Sequence, residues 1–148
     1  ETLHEFRGHS GYIFCVAFSP DGKTILTGSS DKTARLWNLN GKTIQQFIGH
    51  RNIITSVAFS PNGKMILTCS RDKTARLWDL AGNLVEEIKV NAFEINSVSF
   101  SPDGKTILIG SSNSIVRLWE IPLPLEDFLK SDKLQSLSAE QRQLYGIK

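Results

Sequence analysis

Residues 19–42 read SPDGKTILTGSSDKTARLWNLNGK and residues 60–83 read SPNGKMILTCSRDKTARLWDLAGN, the same phrase moved on by 41 positions. A looser copy, SPDGKTILIGSSNSIVRLWE, fills residues 101–120. The same step carries Phe18 to Phe59 and Phe100, and Trp37 to Trp78 and Trp119. Residues 8–48 and 49–89 agree at 23 of 41 aligned positions. The chain is therefore an array of like units, because a fixed period of this length marks a repeat architecture.

Each unit predicts four short strands. In the first, the apolar run Ile13 to Ser19 ends in Ser19-Pro-Asp-Gly-Lys23. There proline presets φ for a tight turn and glycine takes the left-handed position. Thr24 to Ser29 is a second strand, rich in residues that suit a pleated surface. Ser30-Asp31-Lys32 makes a turn, where the aspartate can accept backbone N–H groups. Thr33 to Leu39 is a third strand, Asn40-Gly41 a strong hairpin signal, and Lys42 to Ile48 a fourth strand. The order predicts an antiparallel meander. Glu1 to Arg7 aligns with the fourth strands of the next two units but lacks the three strands before it. The third unit breaks at Ile121-Pro-Leu-Pro with no fourth strand. Twelve strands in all suffice for three four-stranded sheets.

The period, Gly8-His9 and Gly49-His50, the Asp31 and Asp72 turns, and Leu-Trp-Asn (36–38) and Leu-Trp-Asp (77–79) resemble WD40 repeats over residues 1–121. The resemblance implies an all-β propeller of radially set four-stranded blades. Residues 1–7 would be an outer strand, 8–48, 49–89 and 90–121 three repeats, and 122–148 a short helical tail. In that family a hydrogen-bonded set of His, Asp, Ser/Thr and Trp locks each blade. Carried over, it implies His9, Asp31 and Trp37 in the first copy, His50, Asp72 and Trp78 in the second, and Trp119 in the third. The hydroxyl would come from Thr27 or Ser29, and from Thr68 or Ser70. In the third copy Asn91, Asn113 and Ile109 replace His, Asp and Thr while Ser111 is kept, which favours Thr27 and Thr68. The third blade is expected to lack the network and to be the softest.

Three blades do not close a ring, since propellers have four to eight, and an open arc exposes an apolar face at each end. Two completions are expected. In one, two copies form six blades and each Glu1–Arg7 strand completes the partner's third blade, an exchange of identical elements. In the other, the chain is the C-terminal part of a longer propeller with blades upstream, a reading favoured by the mid-blade start at Glu1 rather than Met. In the tail, Pro124 and the capping box Ser138-Ala-Glu-Gln141 predict helix. Its apolar residues would pack on the propeller or dock a partner. Residues 137–146 look like the ends of WD40 arrays in bacterial multidomain signalling proteins.

A net charge of +2 with no block of like charges excludes a basic arm, so neither nucleic acid nor a membrane surface is an expected partner. The apolar run Ile13 to Phe18 is far short of the ~20 residues that cross a bilayer. Cys15 and Cys69 form no C-x-x-C pair or disulfide framework, and with no signal peptide in view a cytoplasmic setting is expected. No His/Cys/Asp/Glu cluster has metal-ligand spacing, and the Gly-Lys turns lack a phosphate-cradling loop. The cysteines fall inside strands and the aspartates in turns, so neither an enzyme nor a cofactor is expected.

What remains is surface. Where near-identical copies differ, the fold does not dictate the residue. The fourth-to-first-strand loops offer Tyr12, Arg51, Ile53, Phe93 and Glu94, the first strands Phe14, and the second turn Arg71. Both loop types fall on one rim, which WD40 proteins use to bind peptides, and several of these residue types are enriched at hot spots. Drift on a solvated surface is the competing reading. The expected function is a protein-interaction scaffold; the alternative is a sensor or regulatory segment of a signalling enzyme such as a bacterial NTPase or kinase.

Overall fold

The computed structural model describes residues 1–91 and 93–121; the predicted helical tail, 122–148, lies outside them. The first sheet holds β1 (Ile13–Phe18), β2 (Thr24–Ser29), β3 (Thr33–Asn38) and β4 (Thr43–Ile48) in that order. The second holds β5 (Ile54–Phe59), β6 (Met65–Ser70), β7 (Thr74–Asp79) and β8 (Leu84–Lys89). The third holds β9 (Ile95–Phe100), β10 (Thr106–Ser111) and β11 (Val116–Glu120). Every pairing is antiparallel.

Side-chain oxygens set the turns. Ser19 Oγ donates to Asp21 at 2.6 Å and accepts from Thr24 N at 3.0 Å, while Asp21 accepts from Lys23 N at 3.0 Å. Ser60–Asn62 and Ser101–Asp103 repeat the arrangement. One short polar pattern thus fixes the same reversal three times, which aligns the strands that follow.

Alternation along the strands gives every sheet two apolar faces. Leu26, Ala34, Leu36 and Phe47 of the first sheet pack on Ile54, Val57, Ile66 and Trp78 of the second. Leu67, Ala75, Leu77 and Ile88 of the second pack on Ile95, Val98, Ile107 and Ile109 of the third. Each fully buried aliphatic side chain contributes about 1.5–3 kcal/mol, so these two seams hold the array together. At the ends, no further sheet among the described residues covers the faces. Ile13 is 49% exposed where Ile54 and Ile95 are 0%. Leu118 is 67% exposed where Leu36 and Leu77 are 2% and 3%.

The third sheet has the three strands that its own unit supplies and no fourth, as the break at Ile121-Pro-Leu-Pro predicts. Glu1–Arg7 forms no strand either, because a strand needs a hydrogen-bonded neighbour and its sheet-mates are not among the described residues. The segment is nevertheless placed: Phe6 meets Trp37 edge-on with ring centroids 5.9 Å apart, as Phe47 meets Trp78 at 5.8 Å.

Candidate interaction rim and the network beneath it

Beneath the loops at one end of the first two sheets lies a chain of four side chains. Trp37 Nε1 donates to Thr27 Oγ1 at 2.9 Å, and that hydroxyl lies 2.7 Å from His9 Nε2. His9 Nδ1 is 2.7 Å from Asp31 Oδ2. A carboxylate only accepts, so His9 carries its proton on Nδ1; Nε2 then accepts from the threonine, whose own lone pair accepts from the indole. Trp78, Thr68, His50 and Asp72 repeat the chain at 2.9, 2.8 and 2.8 Å. Every donor finds an acceptor inside the protein, which is what burial of polar groups requires.

The aspartates also organise backbone. Asp31 accepts from Ser10 N at 3.1 Å, Thr33 N at 2.9 Å and Thr33 Oγ1 at 2.6 Å. Burial pushes its carboxyl up, but the bonds from Thr33, His9 and Ser10 outweigh it and hold the group down at about 2. Asp72, bonded likewise to His50, Arg51 and Thr74, is held well below the usual carboxylate range despite its burial. Each aspartate thereby ties the fourth-to-first-strand loop to the second turn.

Arginine completes the arrangement in a way the sequence did not announce. The Arg35 and Arg76 guanidinium carbons stand 5.7 and 5.8 Å from the Trp37 and Trp78 ring centroids. Each closes over Gly8 or Gly49, where an added Cβ would run into the guanidinium and sit 3.1 or 3.3 Å from the indole. The guanidinium could swing aside, but the indole would have to give by a few tenths of an ångström and φ of 157° and 155° strains any other side chain there, which favours glycine before the histidine. Arg76 also pairs with Glu87 at 2.7 Å.

The third sheet is built differently. Ile109 is fully buried at the threonine position. Ser111 Oγ instead donates to Asn113 Oδ1 at 2.6 Å and accepts from Arg117 Nη1 at 3.2 Å. Trp119, grouped with the network from its register, has no hydroxyl at position 109 to receive its N–H, and is 37% exposed.

The rim sits on this base. Tyr12 O accepts from Ser30 N at 2.8 Å, Ile53 O from Arg71 N at 3.1 Å and Glu94 O from Ser112 N at 2.9 Å. One backbone clasp per sheet therefore brings the loop and the turn together. Tyr12 is 82% exposed, Phe14 and Phe93 are exposed apolar rings, and Arg51 is exposed with its N–H bonded to Asp72 at 2.9 Å. Ile53 is half-buried. Arg71 lies 3.8 Å from Glu94 of the next sheet; both are solvated, so the pair contributes under about 1 kcal/mol. Among the described residues no group of three or more His, Cys, Asp or Glu could hold a metal, and no helix is long and apolar enough to cross a membrane.

A family model described as "WD domain, G-beta repeat" matches residues 1–38, 41–79 and 82–120. The chain is 46% identical over 39 residues to Nuclear distribution protein PAC1 of Candida tropicalis, 26% of this chain and 8% of that protein. It is 52% identical over 44 residues to Serine-threonine kinase receptor-associated protein of Gallus gallus, 29% of this chain and 13% of the relative. It is 44% identical over 41 residues to Target of rapamycin complex subunit LST8-1 of Arabidopsis thaliana, covering 28% and 13%. The matched stretch is thus a small fraction of each relative's length.

Proposed function

This chain belongs to the WD40-repeat family, and from that premise we propose that it is a non-catalytic interaction scaffold: three consecutive propeller blades that offer one rim to a protein or peptide. The observation that carries the reading is the clasped rim. A backbone fixed by the same hydrogen bonds in each blade carries exposed side chains that differ from blade to blade. Rigid support beneath variable aromatic and arginine side chains is how a binding surface gains specificity at low ordering cost. The open faces of the first and third blades are to be covered by further blades, from a second copy or from upstream in the same polypeptide. The unpaired thiols suit a cytoplasmic setting; burial pushes Cys15 up to about 11 and Cys69 up to about 12, which keeps them unreactive.

Peptides selected by display on the folded chain test the rim. Tyr12→Ala or Arg71→Ala is expected to weaken the selected peptides about tenfold or more, and Lys23→Ala, on the turn at the opposite end of the blade, to leave them unchanged. Peptides indifferent to both rim changes would overturn the reading. A second reading, a regulatory segment beside a signalling enzyme, draws on the printed names of two relatives, one associated with a receptor kinase and one a subunit of a rapamycin-target complex. A kinase or nucleotide-binding motif in the same polypeptide would favour it.

A further inference from the structure

The third sheet ends at β11, whose outer edge has no partner strand among the described residues. A segment that joins no sheet lies at the other end of the same chain. Phe6 stands 41 positions before Phe47 and seats on Trp37 as Phe47 seats on Trp78. Residues 1–7 therefore lie over the first blade where the fourth strand of a preceding blade would lie.

The pairing of β7 with β8 fixes the register such a strand would take. Ala75 faces Ile88, Arg76 faces Glu87 and Trp78 faces Leu84. Moved on by one unit, Val116 faces Phe6, Arg117 faces Glu5 and Trp119 faces Thr2. The middle pair reproduces the Arg76–Glu87 ion pair, closed at 2.7 Å. In the chain alone, Glu5 is held by its near neighbour Arg7, and Arg117 by Ser111.

The open faces match as well. Val16 is 68% exposed where its equivalents Val57 and Val98 are 8% and 6%. Leu108, Val116 and Leu118 stand exposed at the positions that in the second blade are buried Leu67, Ala75 and Leu77. Back face and front face are thus the two halves of a seam the chain already makes twice.

We propose that residues 1–7 of one chain pair as the fourth strand on β11 of a second copy, with Glu5 bound to Arg117, so that two chains close a six-bladed ring. The inference rests on the propeller reading and is independent of the rim. Light scattering of the chain alone at micromolar concentration is expected to give twice the 16.5 kDa chain mass. Glu5→Arg and Arg117→Glu, each alone, place like charges together at both seams and should weaken association about tenfold or more, ~1.4 kcal/mol. An equimolar mixture of the two variants restores opposite charges at both seams and should recover the doubled mass. A single-chain mass for the unaltered protein overturns the pairing and leaves upstream blades as the cover. A doubled mass that the variants do not change overturns the register. Circular dichroism of the same samples separates these outcomes from failure of the propeller itself: a sheet spectrum preserves that reading, and a disordered one removes it.

Discussion

In the second blade Trp78 is almost wholly buried and donates to Thr68 at 2.9 Å; in the third, Ile109 stands at the threonine position and Trp119 remains partly open to water. The strands follow the same course, with Met65–Ser70 pairing Thr74–Asp79 as Thr106–Ser111 pairs Val116–Glu120. Backbone register therefore does not depend on the polar network, since turns and apolar seams suffice to set it. What the network adds is a buried, fully bonded link from the sheet to the loops above it. A satisfied polar chain of this kind rigidifies its surroundings, while a partly satisfied one costs stability.

The largest contrast should come from the tryptophans. Trp78→Ala is expected to destabilise the chain by about 3–5 kcal/mol, and Trp119→Ala by less than half as much, in denaturant unfolding of both proteins. Equal losses would mean that the third blade is locked by something other than this network. Transplantation sharpens the point. Ile109→Thr alone offers Trp119 an acceptor but leaves the buried hydroxyl without its histidine partner, and should cost about 1–3 kcal/mol. Adding Asn91→His and Asn113→Asp should recover most of it and raise hydrogen-exchange protection in β10 and β11. No recovery would show that the third backbone cannot seat the network.

Acid should act on the first two blades before the third. Asp31 and Asp72 have folded-state values below the unfolded ~3.9. Their stabilisation is fully present above about pH 4 and is lost as the pH falls toward about 2, with Asp72 yielding last. Melting followed from pH 5 to pH 2 should lose on the order of 2 kcal/mol more than the Asp31→Asn, Asp72→Asn double variant loses. Parallel acid curves for the two proteins would contradict this. The smallest effect concerns Lys32 and Lys73, held at φ of 70° and 71° in the second turn. Lys32→Gly should be neutral or stabilising by up to about 1 kcal/mol, read as a shift in melting temperature. A clear loss would show that the lysine side chain does more than occupy the turn.

The period made most of the strand order legible, because one turn phrase recurs three times in register. The hydrogen-bonded quartet also falls on positions that this register marks, since His9, Thr27, Asp31 and Trp37 reappear one unit on as His50, Thr68, Asp72 and Trp78. The arginine–tryptophan contact was harder to see. Arg35 and Arg76 read as strand residues that face solvent or pair locally, and only the proximity of Gly8 and Gly49 in space, far away in sequence, shows what surrounds them beside the indoles. The substitute pairing of Ser111 with Asn113 and Arg117 was equally hidden, because it uses residues that look like remnants of the lost network. The leading segment was legible by alignment as a fourth strand without its own three neighbours, and within this chain it joins no sheet. Pairing depends on what lies beside a segment rather than on its own side chains.

The family match divides the chain at 1–38, 41–79 and 82–120, whereas the sheets divide it at 13–48, 54–89 and 95–120. The matched unit and the folded unit are out of step by one strand. Inserting or removing a whole matched unit therefore adds or removes one sheet while the array still starts on a lone fourth-strand segment and stops on an open third strand.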